Sequence, residues 1–139
     1  IDRVHKLSAL HVIAASPRVA DFDEAARLVA EQEQAAMSLG GPRLQANLAS
    51  VERHRGVLAF LQERFGIALD YFSRAFERQR SAGNLSNVLA TLLRLGDLHD
   101  AQDLLNQVRK GLDPTLVQDL ERIIAADPDL ALLRTEGSQ

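Results

Sequence analysis

Apolar residues recur every three or four positions along most of the chain, and each such run stops at a glycine, a proline or a polar pair. The first run predicts a helix over Asp2–Ala15, with Val4, Leu7, Leu10 and Ala14 on one side and Ser16-Pro17 as its end. A second helix is expected after Asp21, with Asp21 and Glu24 forming a capping box and Phe22, Ala25, Val29 and Ala36 forming the buried stripe, up to Gly40-Gly41. Pro42 suits the first turn of a third helix reaching about Arg64, buried through Leu44, Leu48, Val51, Leu58 and Leu61 but interrupted by Arg55. The short Phe65-Gly66 junction then predicts a reversal into a fourth helix, Ile67 to Ser81, packed through Ala68, Phe72, Ala75 and Phe76.

After Gly83-Asn84, Leu85 to Leu95 is apolar on several faces and is expected to be an interior helix. Gly96-Asp97 separates it from a sixth helix with Ala101, Leu104, Leu105 and Val108 on one face. Asp113-Pro114 opens a seventh, with Val117, Leu120 and Ile124 turned inward, and Asp127-Pro128 repeats that opening for a short last helix. Residues 135–139 read as a flexible tail.

Two of these segments repeat. Ala68, Phe72 and Ala75 are followed 33 positions later by Ala101, Leu105 and Val108, a small residue, then a large one, then a small or medium one. That spacing lets the second helix of a pair pack closely on the first. Together with Gly56, Ala59 and Phe65 in the earlier unit, and Leu85, Val88, Leu89, Leu92 and Leu95-Gly96-Asp97-Leu98 in the later one, the region 49–113 resembles the tetratricopeptide repeat family. Ala82-Gly83-Asn84 between the units is similar to linkers in repeat arrays of bacterial signalling and transcription regulators. Glu52 and Arg55 depart from the family, standing where it prefers large apolar residues. The resemblance implies an all-α, short solenoid of antiparallel helix pairs, a single domain over 1–134 with an irregular N-terminal pair at 1–40 and a C-terminal cap at 114–134. The alternative is an irregular helical bundle whose spacing is accidental.

In that family the first helix of each pair lines a concave wall that selects a peptide or a partner helix. Carried onto this chain, the wall comprises Arg53, His54, Val57, Phe60 and Leu61 in the first clear unit. The second unit supplies Ser86, Asn87, Ala90, Leu93 and Arg94. Val57, Phe60, Leu61 and Leu93 would take apolar side chains, the arginines carboxylates and Asn87 a ligand backbone. The competing view is that the large apolar members are core and the arginines merely solvated.

Composition narrows the functional class. Sixteen Lys+Arg against 19 Asp+Glu leave a net charge of -3, which gives no global attraction to nucleic acid. The basic cluster Arg53-His54-Arg55 is divided by Glu52 and Glu63, and exposed aromatics for base stacking are not interspersed with it. No apolar run reaches a membrane-spanning length, so no membrane role and a cytoplasmic setting are expected. The absence of cysteine removes disulfides, thiol catalysis and cysteine-ligated zinc. A start at Ile1 rather than Met is expected of a processed product, an excised domain or a chain lacking disordered residues.

Candidate chemistry is sparse. His5, His11, His54 and His99 are dispersed, without metal-ligand helical spacing, and are expected at helix surfaces. Asp21-Phe22-Asp23-Glu24 and Asp97-Leu98-His99-Asp100 sit at predicted helix starts, where carboxylates serve the backbone amides and the dipole. Gly40-Gly41-Pro42 lacks the lysine and hydroxyl of a phosphate loop. The sequence therefore points to a non-enzymatic scaffold or regulatory module without cofactor or metal. Its partner would be a protein or peptide, including another domain of a parent protein. Homodimerisation through the groove or an array end is the alternative, and an enzyme with an unrecognised site a weaker one.

Overall fold

A computed structural model describes residues 19–134, and the helix expected at 2–15 and the tail at 135–139 lie outside the described residues. Six α-helices follow in order: α1 (Val19–Leu39), α2 (Leu44–Leu61), α3 (Phe65–Arg78), α4 (Ala82–Arg94), α5 (Leu98–Arg109) and α6 (Pro114–Ala126). A 3-10 helix, Pro128–Leu133, closes the series, and no strand occurs among the described residues. The fold is all-α, built by packing consecutive helices. It divides into two compact units, Ile1–Gln79 and Arg80–Gln139, and the break falls where Gln79 takes an extended conformation.

In the first unit α2 packs against both α1 and α3. Ala25 and Val29 of α1 meet Val51 and Leu58 of α2, with Phe22 and Val57 packed against that cluster. The small-and-large pattern of α3 is fully used: Ala68, Phe72, Ala75 and Phe76 are all buried. Gly56 makes the approach of α2 to α3 possible, because a Cβ there would lie 2.6 Å from Phe72 Cδ1 and Cε1.

In the second unit α4 is the central element, packed against α5, α6 and the 3-10 helix. Its interior character follows the sequence, with Leu85, Val88, Leu89 and Leu92 buried. Leu130 and Leu133 anchor the 3-10 helix in the core of this unit. Arg134 holds its end by donating from Nε to the Ile124 carbonyl at 3.0 Å.

Several boundaries differ from expectation for identifiable reasons. α1 begins at Val19, so Asp21 lies inside the helix rather than at its cap, while Glu24 pairs with Arg27 one turn on. Pro42 stays in the turn before α2, which starts at Leu44 after a Leu44 N–H to Gly41 carbonyl bond of 3.1 Å. The reversal between α2 and α3 is not at Phe65-Gly66, which already belong to α3, but at residues 62–64, where Glu63 adopts φ 61°. Ser81 caps α4 by accepting from the Asn84 amide at 3.2 Å, which draws Ala82, Gly83 and Asn84 into the helix instead of a linker. Asp113 and Asp127 do act as caps, accepting from Leu116 and Asp129 amides.

The repetition seen in the sequence extends to hydrogen-bond geometry. α2 ends with Glu63 N–H donating to the Phe60 carbonyl and Arg64 N–H to the Ala59 carbonyl, at 2.9 and 2.8 Å. α4 ends with Gly96 N–H donating to the Leu93 carbonyl and Asp97 N–H to the Leu92 carbonyl, at 3.1 and 2.9 Å. Each is the helix-terminating motif in which a left-handed residue satisfies the last carbonyls. They stand 33 positions apart, as do the ends of α2 and α4 and the starts of α3 and α5.

Candidate partner-binding faces

On α2, the expected wall residues do not share one environment. Arg53, Val57 and Phe60 are half-buried, and Leu61 is 43% exposed. Phe60 meets Phe65 edge to face at 5.0 Å between ring centroids, which ties the C-terminal end of α2 to the start of α3. His54 differs from its expected surface position: it is only 3% exposed and forms part of the α1–α2 interface.

The environment of His54 is a polar chain inside that interface. Its Nδ1 lies 3.1 Å from Gln32 Oε1, and because an amide oxygen can only accept, Nδ1 carries the proton. Gln32 Nε2 donates in turn to Ser50 Oγ at 3.1 Å, which also accepts from Arg53 Nη2 at 3.3 Å. Burial draws the Arg53 guanidinium below its ordinary pKa. The network was within reach of the sequence: Gln32 lies in step with Ala25, Val29 and Ala36, and His54 with Val51 and Leu58. Two polar residues on facing apolar stripes are a signal for a buried pair.

A second polar group ties the same helices nearer the surface. Arg55 donates from Nη1 and Nη2 to the two carboxylate oxygens of Glu33, at 3.2 and 3.1 Å. The hydrogen bonds from Arg55 hold the Glu33 carboxyl below the usual carboxylate range, and Glu33 in turn raises the Arg55 pKa. Arg55, which interrupts the apolar pattern of α2, is thus accommodated by a bidentate pair.

On α4, Ser86, Asn87, Ala90 and Leu93 are half-buried and Arg94 is exposed. Ser86 Oγ donates to the Gly83 carbonyl at 2.7 Å, and Thr91 Oγ1 to the Asn87 carbonyl at 2.7 Å. The Asn87 side chain makes no hydrogen bond among the described residues. Arg94 Nη2 stands 3.9 Å from Asp129, an open ion pair at the start of the 3-10 helix.

Among the described residues, the remaining histidine and acid clusters bring no site together. His99 pairs along its own helix with Asp103 at 3.2 Å, both exposed. Among the described residues no group of three or more His, Cys, Asp or Glu side chains converges as metal ligands would, and no helix is long and apolar enough to cross a membrane. His5 and His11 lie outside the described residues. No protein-family model matches the chain, and neither curated proteins nor solved structures give a match.

Proposed function

We propose that the chain is a non-enzymatic helical-repeat module, similar to the tetratricopeptide family, that binds a protein or peptide. The observation that carries this reading is the division of labour on the first helix of each pair. α2 and α4 bury one side, through Val51 and Leu58 or Leu85 and Leu89, and leave a second strip partly open. Each strip is mixed in character, with Val57, Phe60 and Leu61 accompanied by Arg53 on α2, and Leu93 by Asn87 and Arg94 on α4. Apolar anchors with arginine and an amide nearby are the composition of surfaces that recognise a polypeptide. The repeated turn geometry, 33 residues apart, supports the repeat reading. His54 takes no part in the strip, since its ring serves the helix interface.

The paired substitution Asn87→Ala and Arg94→Ala tests the assignment once a partner is in hand. Binding should weaken about tenfold or more, in line with the loss of two polar contacts. Helicity should stay unchanged, because the Arg94–Asp129 pair is solvent-exposed and contributes little. Unaltered affinity removes α4 from the binding surface. Self-association is a second reading, favoured by the exposed side chains of Met37, Leu39 and Leu112. Solution mass across protein concentration separates the two: a rise toward twice 15.3 kDa supports the second.

A further inference from the structure

Residues 128–134 lie across the second unit as a strap. Asp127 ends α6 in an extended conformation, and the 3-10 helix that follows, Pro128–Leu133, packs against α4, α5 and α6 instead of continuing α6. Two side chains anchor it. Leu130 and Leu133 are buried, whereas Pro128, Asp129 and Ala131 are exposed and Leu132 is 67% exposed. A spacing of three puts both leucines on the same side of a helix with three residues per turn.

The polar ties of the strap are local or peripheral. The Leu130 amide donates to the Asp127 carbonyl at 3.0 Å and the Arg134 amide to the Ala131 carbonyl at 3.1 Å, and among the described residues no backbone hydrogen bond joins the strap to α4 or α5. Arg134 donates from Nε to the Ile124 carbonyl at 3.0 Å. Asp129 stands 3.9 Å from Arg94 Nη2, and both side chains are more than half exposed. The strap also fills its seat incompletely. A cleft of about 230 Å³ remains beside it, lined by Leu105, Asn106 and Arg109 of α5 and by Leu132, Leu133 and Arg134. A short segment held by two leucines and peripheral polar ties can open without breaking the hydrogen bonds of the helices beneath it.

We infer that the strap is the resident occupant of a peptide groove, displaced when a segment of a partner protein with the same chemistry binds. That chemistry is an acidic residue followed directly by the first of two Leu or Ile residues three positions apart. The acid pairs with Arg94 as Asp129 does, and the apolar pair takes the seats of Leu130 and Leu133. Leu105, Arg109 and the Ile124 carbonyl, against which the strap lies, belong to neither strip proposed above. Loss of groove binding and loss of strip binding are therefore separate results.

The test uses the full chain and the probe acetyl-Asp-Pro-Asp-Leu-Ala-Leu-Leu-Arg-amide, which copies residues 127–134. In the wild type the Leu130 and Arg134 amides should exchange with solvent at least about tenfold faster than those of Leu89 and Leu120. Excess probe should speed that exchange further, by holding the groove while the strap is out. A double variant, Leu130→Ser with Leu133→Ser, should bind the probe at least about tenfold more tightly than the wild type, whose own strap competes at high effective concentration. Amide shifts should centre on Leu105, Arg109 and Ile124. A probe with Ser for both anchor leucines should not bind, and Asn for its second Asp should weaken binding about two- to fivefold. Protection of Leu130 and Arg134 equal to that of Leu120, exchange indifferent to the probe, equal binding of the Ser probe, or shifts centred on Ser86 and Asn87 would overturn the inference. Should the double variant lose helicity, wild-type exchange with and without probe still decides the matter. Strap exchange that quickens with protein concentration in the absence of probe would assign the groove to a second copy's strap, and so would also overturn it.

Discussion

Gln32 and His54 show how one pair of side chains constrains a helix interface. Replacing Gln32 with Leu leaves the His54 Nδ1–H, which it now satisfies at 3.1 Å, to be buried without that acceptor. The expected cost is about 1–3 kcal/mol by urea denaturation. Changing both residues to Leu should cost less than the sum of the single changes, because no polar group is then stranded. Glu33 gives a pH-dependent counterpart. Its folded-state pKa is depressed, so its contribution is present above the unfolded value of about 4.3 and is lost as pH falls through the folded value. Since Glu33 is 38% and Arg55 28% exposed, the pair contributes at most about 1 kcal/mol. The stability gap between wild type and Glu33→Gln should therefore be small at pH 7 and shrink further as pH falls below the unfolded value of about 4.3.

Helix ends separate what local sequence encodes from what the chain context decides. Ser81 and Asp113 each accept a backbone amide at the start of their helix, whereas Asp97 makes no such bond ahead of α5. Ser81→Ala and Asp113→Ala should each lower stability by about 1 kcal/mol, and Asp97→Ala by clearly less, measured by thermal unfolding. The Asp-Pro pairs were legible because proline and a capping carboxylate act on their nearest neighbours. The α2–α3 turn was not: glycine at 66 looked like the reversal, yet Glu63 takes the left-handed conformation that glycine favours. The two hydrogen bonds of that turn, to Phe60 and Ala59, hold Glu63 there. Such a position is invisible to a residue-type argument. Within the helices the apolar period was a better guide, since Ala25, Val29, Phe72, Leu89, Leu105 and Leu120 are all buried as expected. The wall residues were harder to read, as half-buried positions such as Val57 belong partly to the core.

For the molecule as a whole, charge is the property that composition fixes most directly. With a net charge of -3 and a sequence pI near 5.8, solubility should pass through a minimum close to that pH, observable as turbidity in a concentrated sample. Addition of salt should weaken any partner held through the exposed Arg94. Each of the two compact units carries its own buried apolar set, Val29 and Phe72 in one and Leu89 and Leu120 in the other.

Gly56 opposite Phe72 also sets a register. One turn to either side of Gly56 on α2 stand Glu52 and Phe60, which carry bulky side chains where Gly56 has none. Sliding α3 along α2 by a turn would drive the ring into a carboxylate or another phenyl group. The glycine notch thus works as a keyway that opposes sliding of α3 along α2.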